Sequence, residues 1–247
     1  MKDRDLSAWL REWPLEPGSV QARVIHTPDG REVLQMRVDL GVLQMEREGR
    51  PDGTRPENHE SWADFYTETL AADDSDEAGL TSDDLRRLRD EAVQYSHRSI
   101  ALFSLDEFDE VVRDEEHILR ILDLAAAHGG GDDEALALER LRPNTVIMIA
   151  RAGAAKAITR GDSRAALTAI NAGLDELRRV FRVYGVTDDE FDDLSEARLL
   201  LVMRDALTPK LPASQRHELN ERLRAAIAAD NFELAAILRD ELRQLNE

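Results

Sequence analysis

The sequence predicts a mainly α protein with a β-hairpin module at its N-terminus, antiparallel helical hairpins in the middle and a closing helical pair at its C-terminus. Three observations carry that reading. Apolar residues alternate with a period of two only within the first 56 positions, as in half-buried strands. From Asn58 onward they recur three and four residues apart, as on one face of a helix. Charged residues make up 34% of the 247, beside 42% hydrophobic. That mixture suits long solvated helix faces around a sizeable core.

In the first segment Val20, Ala22 and Val24 alternate before Pro28-Asp29-Gly30, a turn-forming tripeptide. Leu34, Met36, Val38 and Leu40 alternate after it. The pattern predicts a hairpin whose second strand continues past Gly41 through a bulge and closes at the turn-rich GRPDGTRP. A short amphipathic helix follows, with Trp62, Phe65 and Tyr66 on its inner side. Ser82 or Asp83 is the expected cap of the next helix, which runs to Ser104, and its partner spans Glu107 to His128. Gly129-Gly130-Gly131 interrupts the chain. Helices are then expected from Glu134 to Arg160, from Ser163 to Tyr184, and from GVTDDEFDD through Ala206. Pro209 and Pro212 in TPKLPAS mark a linker.

In the middle pair Gly153, Ala165 and Ala172 stand where small residues let two antiparallel helices approach, and RGDSRAAL reads as the turn between them. These positions resemble tetratricopeptide-type repeats, which implies TPR-like helical hairpins; an irregular helical bundle is the alternative. The corresponding register in the earlier pair is Ser99, Val111 and Ile118, and both copies lack the bulky aromatic and closing proline of that pattern.

Composition excludes whole classes of chemistry. There is no cysteine, hence no disulfide, thiolate zinc site or cysteine nucleophile. No phosphate loop, HExxH or nucleophile elbow occurs, and the six histidines are scattered. No catalytic, cofactor-binding or metal-binding residue is nominated. Asp114-Glu115-Glu116-His117 is expected to be a solvated helix face. A net charge of −19 argues against direct nucleic-acid binding, which rests on clustered Lys and Arg. No apolar run reaches the ~18 residues of a membrane span, and the first residues lack a signal-peptide core. The expectation is a soluble, cytoplasmic, bacterial protein.

The tail is different. From Thr208 onward six basic residues meet seven acidic ones, so the tail is nearly neutral beside a body of −18. It divides into a helix from Ser214 to Ala229 and a second one capped by Asp230, with Glu233 three residues on. Leu219, Leu223 and Ala226 or Ile227 form a seam on the first; Ala235, Leu238, Leu242 and Leu245 form one on the second. Phe232, Leu234 and Ile237 are then left outside the seam. Burying one such side chain contributes roughly 1.5–3 kcal/mol, so a cover is expected.

The string DNFELAAILRDEL resembles the UVR motif, the helical hairpin shared by the excision-repair proteins UvrB and UvrC. Phe232, Glu233, Ala235, Ala236, Leu238, Arg239, Asp240 and Leu245 carry the resemblance. It implies contact with a second such hairpin in another chain, as between UvrB and UvrC; similar segments in McsA-type adaptors and Clp-type chaperone ATPases also serve assembly. Phe232, Leu234 and Ile237 would supply the docking surface, Ala235 and Ala236 would allow close approach, and Arg239 and Asp240 would fix orientation. Helicase, nuclease and ATP-binding signatures and the adaptor's cysteines are all missing.

The expected organisation is a strand module over 1–56, a helical body over 57–207 and a UVR-like hairpin over 208–247. The expected function is a non-catalytic adaptor, linked to excision repair or Clp-type protein quality control. Its partner would be a protein bearing a similar hairpin, or a second copy of this chain. Two alternatives stand beside it. The hairpin caps the helical array internally against residues 188–207, or the protein is an enzyme with a carboxylate site between the strand module and the helices.

Overall fold

The computed structural model describes residues 6–72, 79–208, 213–228 and 234–239. The chain is mostly helical, 67%, with an antiparallel three-stranded sheet near its N-terminus. Two compact units divide it, residues 1–156 and 157–247.

In the first unit the sheet is formed by β1 (Ala22–His26), β2 (Glu32–Val38) and β3 (Gly41–Glu46), hydrogen-bonded in that order. Gly30 closes the first turn at φ +87°, a conformation glycine adopts without steric penalty. The strand expected to run through Gly41 instead reverses there. Val38 pairs with Gly41, leaving Asp39-Leu40 as a two-residue turn with Leu40 93% exposed. The reason lies in Arg37. Its Nη1 donates to the carbonyls of Val38 and, at 2.9 Å, Gly41, while its Nε donates to the carbonyl of Trp13 at 2.9 Å.

Period-two alternation sends Leu34, Met36 and Met45 to one face, where they share a core with Ala101, Leu102, Phe108, Val111 and Ala152. The opposite face carries the cross-strand row Arg23, Gln35 and Gln44, joined by hydrogen bonds of 2.9–3.0 Å. A short helix unforeseen from the sequence, α1 (Ser7–Glu12), lies beside this row. The Arg23 guanidinium sits 5.1 Å from the Trp9 ring and 4.1 Å from the Trp13 ring. Each such cation–π contact contributes roughly 0.5–1 kcal/mol at an exposed site.

Helix α2 (Trp62–Ala72) packs on the long pair α3 (Ser82–Ser104) and α4 (Phe108–His128). Leu85, Leu88 and Ala92 face Ile118, Ile121 and Leu122, with Ala63 and Tyr66 closing the third side. The cap of α3 is Thr81, one residue earlier than expected. Its side chain accepts from the Asp84 amide while the Asp84 carboxylate accepts from the Thr81 amide, a reciprocal capping box. The helix expected from Glu134 to Arg160 breaks into α5 (Asp133–Glu139) and α6 (Arg142–Thr159). Pro143 accounts for the break. It lacks the amide a continuous helix would need there, whereas the first turn of a new helix tolerates it.

The second unit begins at Ala157, in the last turn of α6. It contains α7 (Ser163–Val183), α8 (Asp188–Phe191), α9 (Ser195–Leu207) and α10 (Ala213–Ala228). Ala166, Leu167, Ile170, Leu174 and Leu177 are buried on α7, and Ala197 and Leu200 on α9. The single helix expected from GVTDDEFDD through Ala206 is interrupted after one turn. Carboxylates at 188–190 suit the N-terminus of α8, where Thr187 and Glu190 form a reciprocal capping box. Phe191 turns inward at the break, 1% exposed and beneath the Arg178 guanidinium. The prolines of the expected linker lie outside the described residues.

Candidate functional site

Two regions compete for the role. The first lies at the junction of β3 and the following loop with α2, α3 and α4, where a carboxylate site was one alternative. Contrary to the expectation of a solvated face, Asp114, Glu115 and His117 are 0%, 3% and 5% exposed; only Glu116 faces out. The physical reason is compensation from α3 across the helix pair. Arg98, 1% exposed, donates from Nε and Nη2 to the two Asp114 oxygens at 2.7 and 2.8 Å. Its Nη1 reaches the carbonyls of Glu46 and Gly49 at 2.9 and 2.8 Å. One guanidinium thus ties β3 and its loop to both helices.

Glu91, fully buried, does the same for α2. It accepts from the amides of Trp62 (2.8 Å) and Ala63 (3.3 Å) and pairs with Arg50 at 3.3 Å. Its Oε1 also lies 3.0 Å from His117 Nε2. Arg120 Nη2 lies 2.6 Å from His117 Nδ1. A guanidinium only donates, so Nδ1 accepts and Nε2 carries the proton given to Glu91. The imidazole stacks on Tyr95 with centroids 3.9 Å apart. Glu115 accepts from Ser99 Oγ at 2.5 Å and bonds to the Thr145 side chain, and burial pushes its carboxyl up to about 7. These carboxylates are committed to guanidinium, imidazole, amide and hydroxyl partners. What the arrangement does is clamp four segments together. Among the described residues no group of three or more His, Cys, Asp or Glu is placed to hold a metal ion. A groove of about 330 Å³ nearby is lined by Arg31, Glu46, Glu48, Arg50, Arg55 and Glu60. Arg31 pairs with Asp29 and Glu46, and Arg55 with Glu60.

The second region is the tail. On α10, Leu219 and Leu223 are half-buried and Ala226 is 4% exposed, whereas Ile227 is 53% exposed. Of the two residues offered for the seam, Ala226 is the buried one. Residues 234–239 are helical. Leu238 is 2% exposed, Ala235 and Ala236 are half-buried, and Arg239 is exposed. Leu234 and Ile237 are 38% and 59% exposed. Phe232, Glu233 and Asp240 lie outside the described residues, as do Leu242 and Leu245.

The same unit bears an apolar patch that the sequence did not lead us to expect. On α9, Leu199 and Val202 are 44% and 62% exposed. The signal was the unbroken run Leu199-Leu200-Leu201-Val202-Met203, wider than one packed face requires. Among the described residues no helix is long and apolar enough to cross a membrane.

With this geometry in view, comparison with known proteins gives one result. The model of the UvrB/uvrC motif matches residues 214–247, so the chain carries a UVR motif at its C-terminal end. This is a motif of interaction, not of catalysis. No curated protein and no solved structure matches the chain.

Proposed function

We propose that this protein is a non-catalytic adaptor that engages another protein through its C-terminal UVR segment. The observation that supports the reading is the outward placement of Leu234 and Ile237 beside a buried Leu238, inside the matched motif. Phe232, Glu233, Leu234, Ala235, Ala236, Ile237, Leu238, Arg239 and Asp240 form the contact segment. The apolar members supply the energy, the alanines close approach, and the charged ones orientation at the rim. The partner presents a helical hairpin of the same kind, in another protein or in a second copy of this chain. Excision repair and Clp-type protein quality control are the two pathways the motif suggests. In this organisation 1–56 is a strand module, 57–207 a helical, TPR-like body that carries the hairpin, and 208–247 the docking element. Direct binding to nucleic acid is not part of the reading, given the charge of −19.

The experiment is affinity capture with the full chain, comparing wild type with a Leu234→Asp/Ile237→Asp variant whose helical content is checked by circular dichroism. Loss of specific partners, or of a wild-type dimer by light scattering, supports the proposal. An unchanged set of partners and an unchanged mass with the fold intact would refute it.

A further inference from the structure

We infer that Glu115 is a proton-operated latch on α6: set between Ser99 of α3 and Thr145 of α6, its carboxyl holds the three-helix junction tightest when protonated and loosens α6 as the proton leaves. The geometry separates Glu115 from its neighbours. Asp114 and Glu91, equally buried on the same helix pair, each meet a guanidinium. Among the described residues Glu115 meets hydroxyls, Ser99 Oγ at 2.5 Å and the Thr145 side chain. Ser99, Glu115 and Thr145 are 0%, 3% and 4% exposed. A hydroxyl can donate to a carboxylate or accept from a carboxylic acid, so both protonation states keep partners here. Only the ionised one places a net charge in a buried junction.

The groups facing Glu115 are few. From α3 comes Ser99, with Arg98 beside it turned away to Asp114 and to the Glu46 and Gly49 carbonyls. From α6 comes Thr145, and on its own helix Asp114, itself held by Arg98 and Arg113. Burial raises the carboxyl most, the two hydroxyl bonds lower it, and the Asp114 charge raises it again, leaving it at about 7. An acid raised on folding stabilises least at high pH. Its contribution is intact below its ordinary range, falls as pH climbs towards 7, and levels off above. The helix so controlled also carries the boundary between the two compact units, which lies between Lys156 and Ala157.

The test is hydrogen–deuterium exchange of the full chain at pH 5, 6, 7 and 8, corrected for intrinsic rates and read on peptides from α6. In the wild type the opening constant of these peptides should rise by up to roughly tenfold per pH unit between 5 and 7, then flatten. In Glu115→Gln, which imitates the protonated acid, that component should vanish. The same pH course in both proteins would overturn the inference. Carbon-13 NMR of the Glu115 carboxyl in the wild type is an independent readout that needs no variant. A midpoint near neutrality supports the latch, and one below pH 5 overturns it.

Discussion

Replacing Arg98 by methionine removes a side chain that holds β3, its loop and both long helices at once. The loss can be worked from its contacts. Asp114, 0% exposed, would keep only Arg113, which approaches at 3.2 Å from a side chain 40% exposed. The Glu46 and Gly49 carbonyls would lose donors at 2.9 and 2.8 Å. Breaking a buried pair by removing one partner costs about 3–5 kcal/mol, and the two part-buried carbonyls add less than the ~1–3 kcal/mol of a fully buried orphaned acceptor. These terms overlap, so a destabilisation of at least about 4 kcal/mol is expected, lowering a urea midpoint by about 2 M. Trp9, Trp13 and Trp62 all fall in the first unit, and no tryptophan falls in the second. Tryptophan fluorescence therefore follows the affected unit by itself, which matters because a two-unit chain need not unfold in one step. Arg98→Met/Asp114→Leu removes the stranded charge and should lose less than the two single changes together, by at least about 2 kcal/mol. A single variant within about 1 kcal/mol of wild type, or strict additivity in the double, would refute the clamp.

Other outcomes can be checked with the same curves. Gly129 has an ordinary φ of −83°, so backbone freedom does not require glycine there, but a Cβ would lie 2.5 Å from the Ala125 carbonyl oxygen and 2.7 Å from the Ala135 Cβ. Gly129→Ala should destabilise by about 1–3 kcal/mol; a stabilised variant would show that the close approach is illusory. Thr81→Ala removes half of a capping box and should cost about 1 kcal/mol, with Asp84→Ala coupled to it in a double-mutant cycle. Ile237→Asp, at a position 59% exposed, should leave the thermal melt within about 0.5 kcal/mol of wild type while abolishing association. A collapsed melt would mean that this side chain serves the fold.

Local patterns carried much of the architecture. Alternation at Leu34 and Met36 identified the buried face of the sheet, and Pro28-Asp29-Gly30 its first turn. What escaped depended on partners distant in the chain. The reversal before Gly41 is backed by Arg37, whose guanidinium is itself anchored on the Trp13 carbonyl, 24 residues away. The charges on α3 and α4 look solvated when each helix is read alone. Arg98 and Asp114 are buried because they neutralise one another 16 residues apart, which no helical period reveals. Helix ends slipped by a residue, and one helix split where Pro143 imposed a local rule. On the tail, the division between Leu238 inside and Ile237 outside was readable from three- and four-residue spacing. The run at 199–203 has the same apolar excess, but five adjacent apolar residues point all round a helix, so spacing alone does not say which of them stay uncovered.

The Asp39-Leu40 turn is backed by the Arg37 guanidinium, which donates to the Val38 and Gly41 carbonyls on either side of it. Its tip, with Leu40 93% in solvent, offers a side chain that no packing holds. An epitope or a fluorophore-bearing cysteine, in a chain that has no other thiol, could be grafted there as a handle for immobilising the protein with its C-terminal end left untethered.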